Sequence, residues 1–296
     1  MGAEPLRIGT RRSALALAQA HEVAGRLRAM GVPTVVVPLL TQGDRGVPAG
    51  TSPSGLKGLW VNDIVQALVR GDVDLAVHSA KDLPAEDPDG VVVAAVPERG
   101  SPFDMLVRRE PELGAGARVG SSSLRRRGQL KAARPELDVV DIRGNVDTRL
   151  RKLQQREVDG LVLAAAGLVR LDAVPAHADL LDETVMVPAP GQGALAVQTR
   201  ESGPARDAAV GIEDHSSRLA FEAERSLVQL VGGGCALPLG AYATVEGDRV
   251  RLAAVVLRPD GTSPIRAKSE ADSPETAARE VADALLAGGA AAILEE

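Results

Sequence analysis

The chain has 296 residues, 45% of them hydrophobic and 25% charged, with a formal net charge of −6 at pH 7. This is the composition of an ordinary globular protein, long enough for two or three domains of roughly 100–200 residues each. The acidic balance, with only one Trp, one Tyr and two Phe, argues against nucleic-acid binding, which calls for a basic face or a stacking platform.

In chain order, residues 6–9 read as a strand, and Ser13 caps an Ala/Leu-rich helix that runs to Met30 and ends at Gly31 and Pro33. Residues 34–40 read as a second strand, 56–70 as a helix, 73–78 as a strand and 91–96 as another apolar strand. Strands alternating with helices predict βαβ units and a mostly parallel sheet. A Pro/Gly break follows at 97–102, and the pattern then restarts. Strands are expected at 105–107, 118–120, 139–142 and 161–164, with helices at 121–133 and 145–155. A second break at 187–193 precedes a strand at 194–198.

Two breaks around a self-contained α/β block predict an inserted domain joined by two crossings, the architecture of two-lobed binding proteins. After about His215 the character changes. A helix over 217–231 leads into Gly232-Gly233-Gly234-Cys235. Strands follow at 242–246, 250–257 and 265–268, with hairpin signals at Gly247-Asp248 and Pro259-Asp260-Gly261-Thr262, and a helix over 274–286 closes a small α+β domain. The expected division is 1–97 with 194–213, then 98–193, then 214–296. No apolar stretch is long enough to span a bilayer, and Met1 to Arg7 lacks the apolar run of a secretory signal. With a single cysteine, this reading points to the cytoplasm.

Three segments share one design, a strand, a polar turn and a helix start with arginine at the junction. They are Ile8 to Ser13, Val119 to Arg126 and Ile142 to Arg149. A helix start offers unpaired N–H groups, and arginine adds a fork that matches carboxylate oxygens. Three such junctions facing one cleft would hold a small polyanion. Lys81 and Asp82 follow the apolar strand at 73–78 and set a cation beside a carboxylate, although a helix cap or surface ion pair looks the same in sequence. His78 reads as a structural histidine, and His21, His78, His177 and His215 show no metal-ligand spacing. Cys235 is the only cysteine, which excludes an intrachain disulfide. A free cysteine is commonly a small buried apolar residue; the glycines before it argue instead for close approach to a ligand.

Ordered along nearly the whole length, Ile8-Gly9-Thr10-Arg11, Thr41-Gln42-Gly43-Asp44, Lys57-Gly58-Leu59, His78 to Pro84, Gly120 to Arg126, Arg143-Gly144-Asn145-Val146, Pro188 to Ala194 and Gly233-Gly234-Cys235 make the chain resemble the hydroxymethylbilane synthase (porphobilinogen deaminase) family. The resemblance implies two lobes of the periplasmic-binding-protein kind plus a small C-terminal α+β domain, in a monomer. It implies a dipyrromethane cofactor held by a thioether at Cys235, on which four porphobilinogen units are joined head to tail with loss of ammonia. Cofactor contacts would come from Cys235, Lys81, Asp82, Ser123, Arg125, Arg126 and Gly144. Substrate carboxylates would be held by Arg11, Arg12, Ser13, Gln19, Lys57, Ser79, Arg143, Arg149 and Ser122. Asp82 would be the catalytic residue, stabilising the cation left when ammonia departs, and no metal is implied. Lys57 would lie on a Gly/Pro/Ser-rich lid over 44–59. Trp60, Gln42, Pro53 and Gly232 depart from the family pattern, chiefly around that lid. The alternative function is a non-catalytic two-lobed protein that binds a small polyanion.

Overall fold

The structure, a computed structural model, describes residues 4–41, 53–232 and 237–295, with backbone only for 53–60. Three sheets organise it. The first has the order β2-β1-β3-β10-β4, from β1 (Leu6–Arg11), β2 (Thr34–Leu39), β3 (Leu75–Ser79), β4 (Val91–Ala95) and β10 (Leu195–Arg200). The second has the order β7-β6-β8-β5-β9, from β5 (Asp104–Arg108), β6 (Arg118–Gly120), β7 (Asp138–Val140), β8 (Gly160–Ala164) and β9 (Ala178–Leu181). The two orders are equivalent. In each, three parallel strands are followed by one antiparallel strand and then a last outer strand. The antiparallel strands, β10 and β5, are the ones entered from the two crossings. The expected mostly parallel sheets are therefore mixed, each carrying one reversed strand, and the fold is the expected two-lobed α/β architecture.

The sequence explains why the central strands lie inside. In β3 the run Leu-Ala-Val-His is buried throughout, because helices cover both faces. Leu75 and Val77 pack with α1 (Ala14–Ala29), whereas Ala76 packs with α2 (Pro53–Arg70). In β8, Val162 faces α3 (Leu124–Ala133), and Leu161 and Leu163 face α4 (Val146–Gln154) and α5 (Ala165–Arg170). Helix α2 starts at Pro53 rather than Leu56, so the last residues of the expected lid are helical. Gln42 and residues 43–52, and the side chains of Pro53, Lys57 and Trp60, lie outside the described residues.

The third sheet is the antiparallel meander β11 (Leu239–Glu246), β12 (Arg249–Val256) and β13 (Ile265–Ala271). Helices α7 (His215–Leu230) and α8 (Pro274–Ala287) seal one face through an Ala/Val/Leu core. The two-residue turn at Gly247-Asp248 joins β11 to β12 with Gly247 at φ +60, as the hairpin signal predicts.

One carboxylate links this third unit to both crossings. Glu224 on α7 is fully buried and accepts from both Arg99 Nη atoms, at 2.8 and 3.1 Å. It also accepts from the backbone N–H groups of Gly191 and Ala243. Arg99 lies in the first crossing and Gly191 in the second, and Arg99 Nε donates to the Gln192 carbonyl at 2.9 Å. The Tyr242 ring covers the junction, 5.7 Å from the Arg99 guanidinium and 5.5 Å from the Phe103 ring.

Candidate active site

At the end of β3 the chain turns through one 3-10 turn, Ala80–Asp82. Ala80 N donates to Ala194 O at 3.0 Å, which ties the turn to the second crossing. Gly191, at φ +72, packs so tightly there that a Cβ would lie 2.8 Å from Lys81 N. Only glycine fits such an approach. The turn is therefore held against the hinge, and its two charged residues open onto different cavities.

Asp82 lines a cavity of about 240 Å³ with Arg11, Ser13, Gln19, Ser79, Gly144, Asn145 and Arg149. Lys81 lines a second cavity, of about 110 Å³, with Ser123, Arg125, Arg225, Phe221 and Leu237. The three arginine junctions, expected to face one cleft, line two neighbouring cavities. The first and third meet around Asp82, and the second faces Lys81.

Local geometry explains each placement. Ser13 and Ser123 cap α1 and α3, accepting from Ala16 N at 3.3 Å and Arg126 N at 3.4 Å, so each sits at a helix start facing a cavity. Gln19 is buried on α1 and donates to Ser79 Oγ at 2.7 Å. Gly144, at φ +120, sits where a Cβ would press into Thr148. Arg12 is exposed, Ser122 is half-buried, and Arg143 is largely exposed with Asp141 3.3 Å away; none of the three lines either cavity. Cys235 lies outside the described residues, as does the Lys57 side chain, and Leu237 on the Lys81 cavity is two positions from Cys235 in sequence.

Arg125 and Arg126 are organised by a residue that the sequence reading missed. Asp104, fully buried at the start of β5, accepts from Arg125 Nη1 at 2.8 Å and Arg126 Nη2 at 2.7 Å. Burial pushes the Asp104 carboxyl up, but the two guanidinium groups outweigh it and hold the group well below the usual carboxylate range. Gln192 completes the cluster. Its Nε2 donates to Pro102 O at 2.7 Å and Asp104 Oδ1 at 3.0 Å, and its Oε1 accepts from Arg126 at 3.3 Å and Lys81 Nζ at 3.5 Å. Asp104 offers only a lone acidic residue at the head of an apolar strand. Gln192 offers a stronger signal, standing between Gly191 and Gly193, both at positive φ.

The donors fit a polycarboxylate. Arg149 Nε is buried with no hydrogen-bond partner, and so is Arg125 Nε. Burial lowers the Arg149 guanidinium pKa, Arg126 lowers it further, and only Asp141 opposes. A guanidinium left in this state gains most from an incoming carboxylate. Among the described residues no cluster of ligating side chains could hold a metal, and no helix is long and apolar enough to cross a membrane.

Two family descriptions match the chain. "Porphobilinogen deaminase, dipyromethane cofactor binding domain" matches residues 6–207, and "Porphobilinogen deaminase, C-terminal domain" matches residues 218–287. The chain belongs to the porphobilinogen deaminase family. Porphobilinogen deaminase of Acidothermus cellulolyticus is 43% identical, over 98% of this chain and 91% of its own. That of Pelobacter propionicus is 42% identical over 98% and 96%, and that of Rubrobacter xylanophilus 43% over 98% and 96%. A solved periplasmic substrate-binding protein of an ABC transporter from Coxiella burnetii aligns with 72% of this chain and 94% of its own, at 16% identity and a TM-score of 0.43. Family membership favours the deaminase over the non-catalytic polyanion binder, and brings with it the dipyrromethane cofactor.

In the Asp82 cavity His78 is buried on β3, and its Nε2 has no hydrogen-bond partner. Burial lowers its pKa to about 4, with Asp82 and then Asp87 pulling the other way. The folded chain thus holds His78 neutral, whereas the unfolded chain protonates it below about 6.5. The stability from this residue is fully present above pH 6.5 and is lost as pH falls towards 4. Between pH 7 and 5 the loss should be about 2 kcal/mol, and His78→Gln should abolish it. Urea midpoints of both proteins across that range check this; parallel slopes would refute it.

Proposed function

We propose that this chain is a transferase that joins four porphobilinogen molecules head to tail, releasing ammonia at each step, to give the linear tetrapyrrole hydroxymethylbilane. The carrying observation is the Ala80–Asp82 turn, which presents a carboxylate to one cation-lined cavity and a lysine to another. Dipyrromethane, attached through Cys235, would supply the nucleophilic pyrrole carbon on which the product grows.

The protein's own residues supply the rest. Arg11, Ser13 and Arg149 are the donors for acetate and propionate groups in the Asp82 cavity, with Gln19 and Ser79 as a preorganised neutral pair. Arg12, Arg143 and Ser122 belong to the same set as outer contacts for a longer chain, and Lys57 is a further proposed substrate contact. Ser123, Arg125 and Lys81 hold the carboxylates nearest the sulfur, Arg126 joins them through Asp104 and Gln192, and Gly144 meets the cofactor from the Asp82 cavity. As the C–N bond of the protonated aminomethyl group breaks, ammonia carries off the bonding pair and positive charge spreads into the pyrrole. In this reading Asp82 stabilises that charge and accepts pyrrole N–H bonds. A fixed carboxylate in a site shut off from water is worth far more than one in solution.

In this reading residues 1–97 with 194–213, 98–193 and 214–296 work as three domains of a cytoplasmic monomer. The cytoplasm keeps the thiol reduced until it is alkylated. Intact mass is the direct test. The parent chain should carry two pyrrole units beyond its sequence mass, and Cys235→Ser should carry none. An unmodified, folded parent that releases no ammonia from porphobilinogen would leave the polyanion-binding alternative standing.

A further inference from the structure

Between the Ala80–Asp82 turn and β4 runs an irregular segment, residues 83–90, with no sheet or helix to hold it. Helix α7 of the third unit holds it instead. Arg225 donates through Nη1 to Asp87 Oδ2 at 3.1 Å, and through Nη2 to Asp87 Oδ1 at 2.9 Å and Pro84 O at 3.2 Å. Gln229, one turn further along α7, donates to Ala85 O at 2.6 Å. On the other side Gln198 of β10 donates to Asp87 Oδ1 at 3.0 Å. The Arg225 guanidinium is backed by the Phe221 ring at 5.5 Å, and both groups of the ion pair are mostly buried.

We infer that Arg225 and Asp87 are positioning residues, a clamp that sets the Lys81–Asp82 turn relative to the helix leading to Cys235. The inference rests on the deaminase reading and extends it to residues that touch no reacting atom. Arg225 follows Glu224, so successive residues of α7 grip the crossings and the Asp82 segment. One rigid helix thereby relates the sulfur-bearing end of the site to its carboxylate. Arginine suits this because its planar fork meets both Asp87 oxygens and a carbonyl at once, a pattern lysine does not reproduce. A misplacement near 1 Å at a reacting centre costs about 100-fold in rate. The clamp therefore acts on turnover and leaves substrate binding, done by other residues, largely intact.

The experiment uses the full cofactor-loaded chain with Asp87→Asn and, separately, Arg225→Lys. We expect both to fold and to carry the two-pyrrole mass increment. For both, kcat should fall about 10–100-fold with KM for porphobilinogen within about twofold of the parent. A purely structural role would lower the thermal midpoint and leave kcat of the folded fraction at the parent value. That result in either loaded variant overturns the inference, as does a rise in KM at constant kcat. An unloaded, inactive parent would instead overturn the functional reading, so the two failures are distinct.

Discussion

Replacing Asp82 by Ala should leave a folded chain that still binds small polycarboxylates but turns over at least about 100 times more slowly. The magnitude follows from removing one preorganised group that faces charge developing in the transition state. Binding survives because the cavity's cations, Arg11 and Arg149, are carried by β1 and α4 rather than by the turn. Ammonia release under saturating porphobilinogen measures the effect. Turnover within a few-fold of the parent would remove Asp82 from the chemistry.

Glu224→Ala should be the most damaging substitution outside the cavities. It strips Arg99, whose side chain is only 10% exposed, of its partner and leaves the Gly191 and Ala243 N–H groups without theirs. Breaking a buried pair by removing one member typically costs about 3–5 kcal/mol. A large part of the marginal stability of such a chain is at stake. Thermal or urea unfolding followed by near-UV and far-UV signals should show an earlier transition. Glu224→Gln keeps the shape, can still accept from some of these donors, and should lose less. A midpoint unchanged in Glu224→Ala would show that the crossings are held by other means.

Much of the architecture is legible in the sequence because its signals are local. Ser13 caps α1, Gly31 ends it, and Gly247-Asp248 turns a hairpin, each through chemistry contained within a few residues. What the sequence conceals is non-local or unmarked. Helix α5 has at its N-cap Ala164, whose methyl group cannot cap it, and follows β8 without a break in apolar character. Strand β9 has a mixed, half-exposed pattern, and its partner residues, Asp104–Val107, lie 71 to 77 positions back. The site shows the same division. Arginine at three strand-to-helix junctions marks an anion site, and Lys81-Asp82 marks its chemistry. The sequence does not reveal that the junctions divide between two cavities, because that depends on how the lobes meet. Nor does it reveal that Arg125 and Arg126 answer to Asp104, more than 20 positions away.

Three of the four aromatic residues, Phe103, Tyr242 and Phe221, stand where the C-terminal unit meets the rest of the chain. Two of them back the guanidinium groups that pair with Glu224 and Asp87. Bulky flat rings at a seam resist sliding, whereas the Ala/Val/Leu interiors of each unit accept volume-conserving exchanges at modest cost. Natural variation should therefore be limited to such exchanges in the interiors and should stall at the seam. Grafting the sulfur-bearing portion from a distant relative should succeed only when these rings and their charged neighbours travel with it.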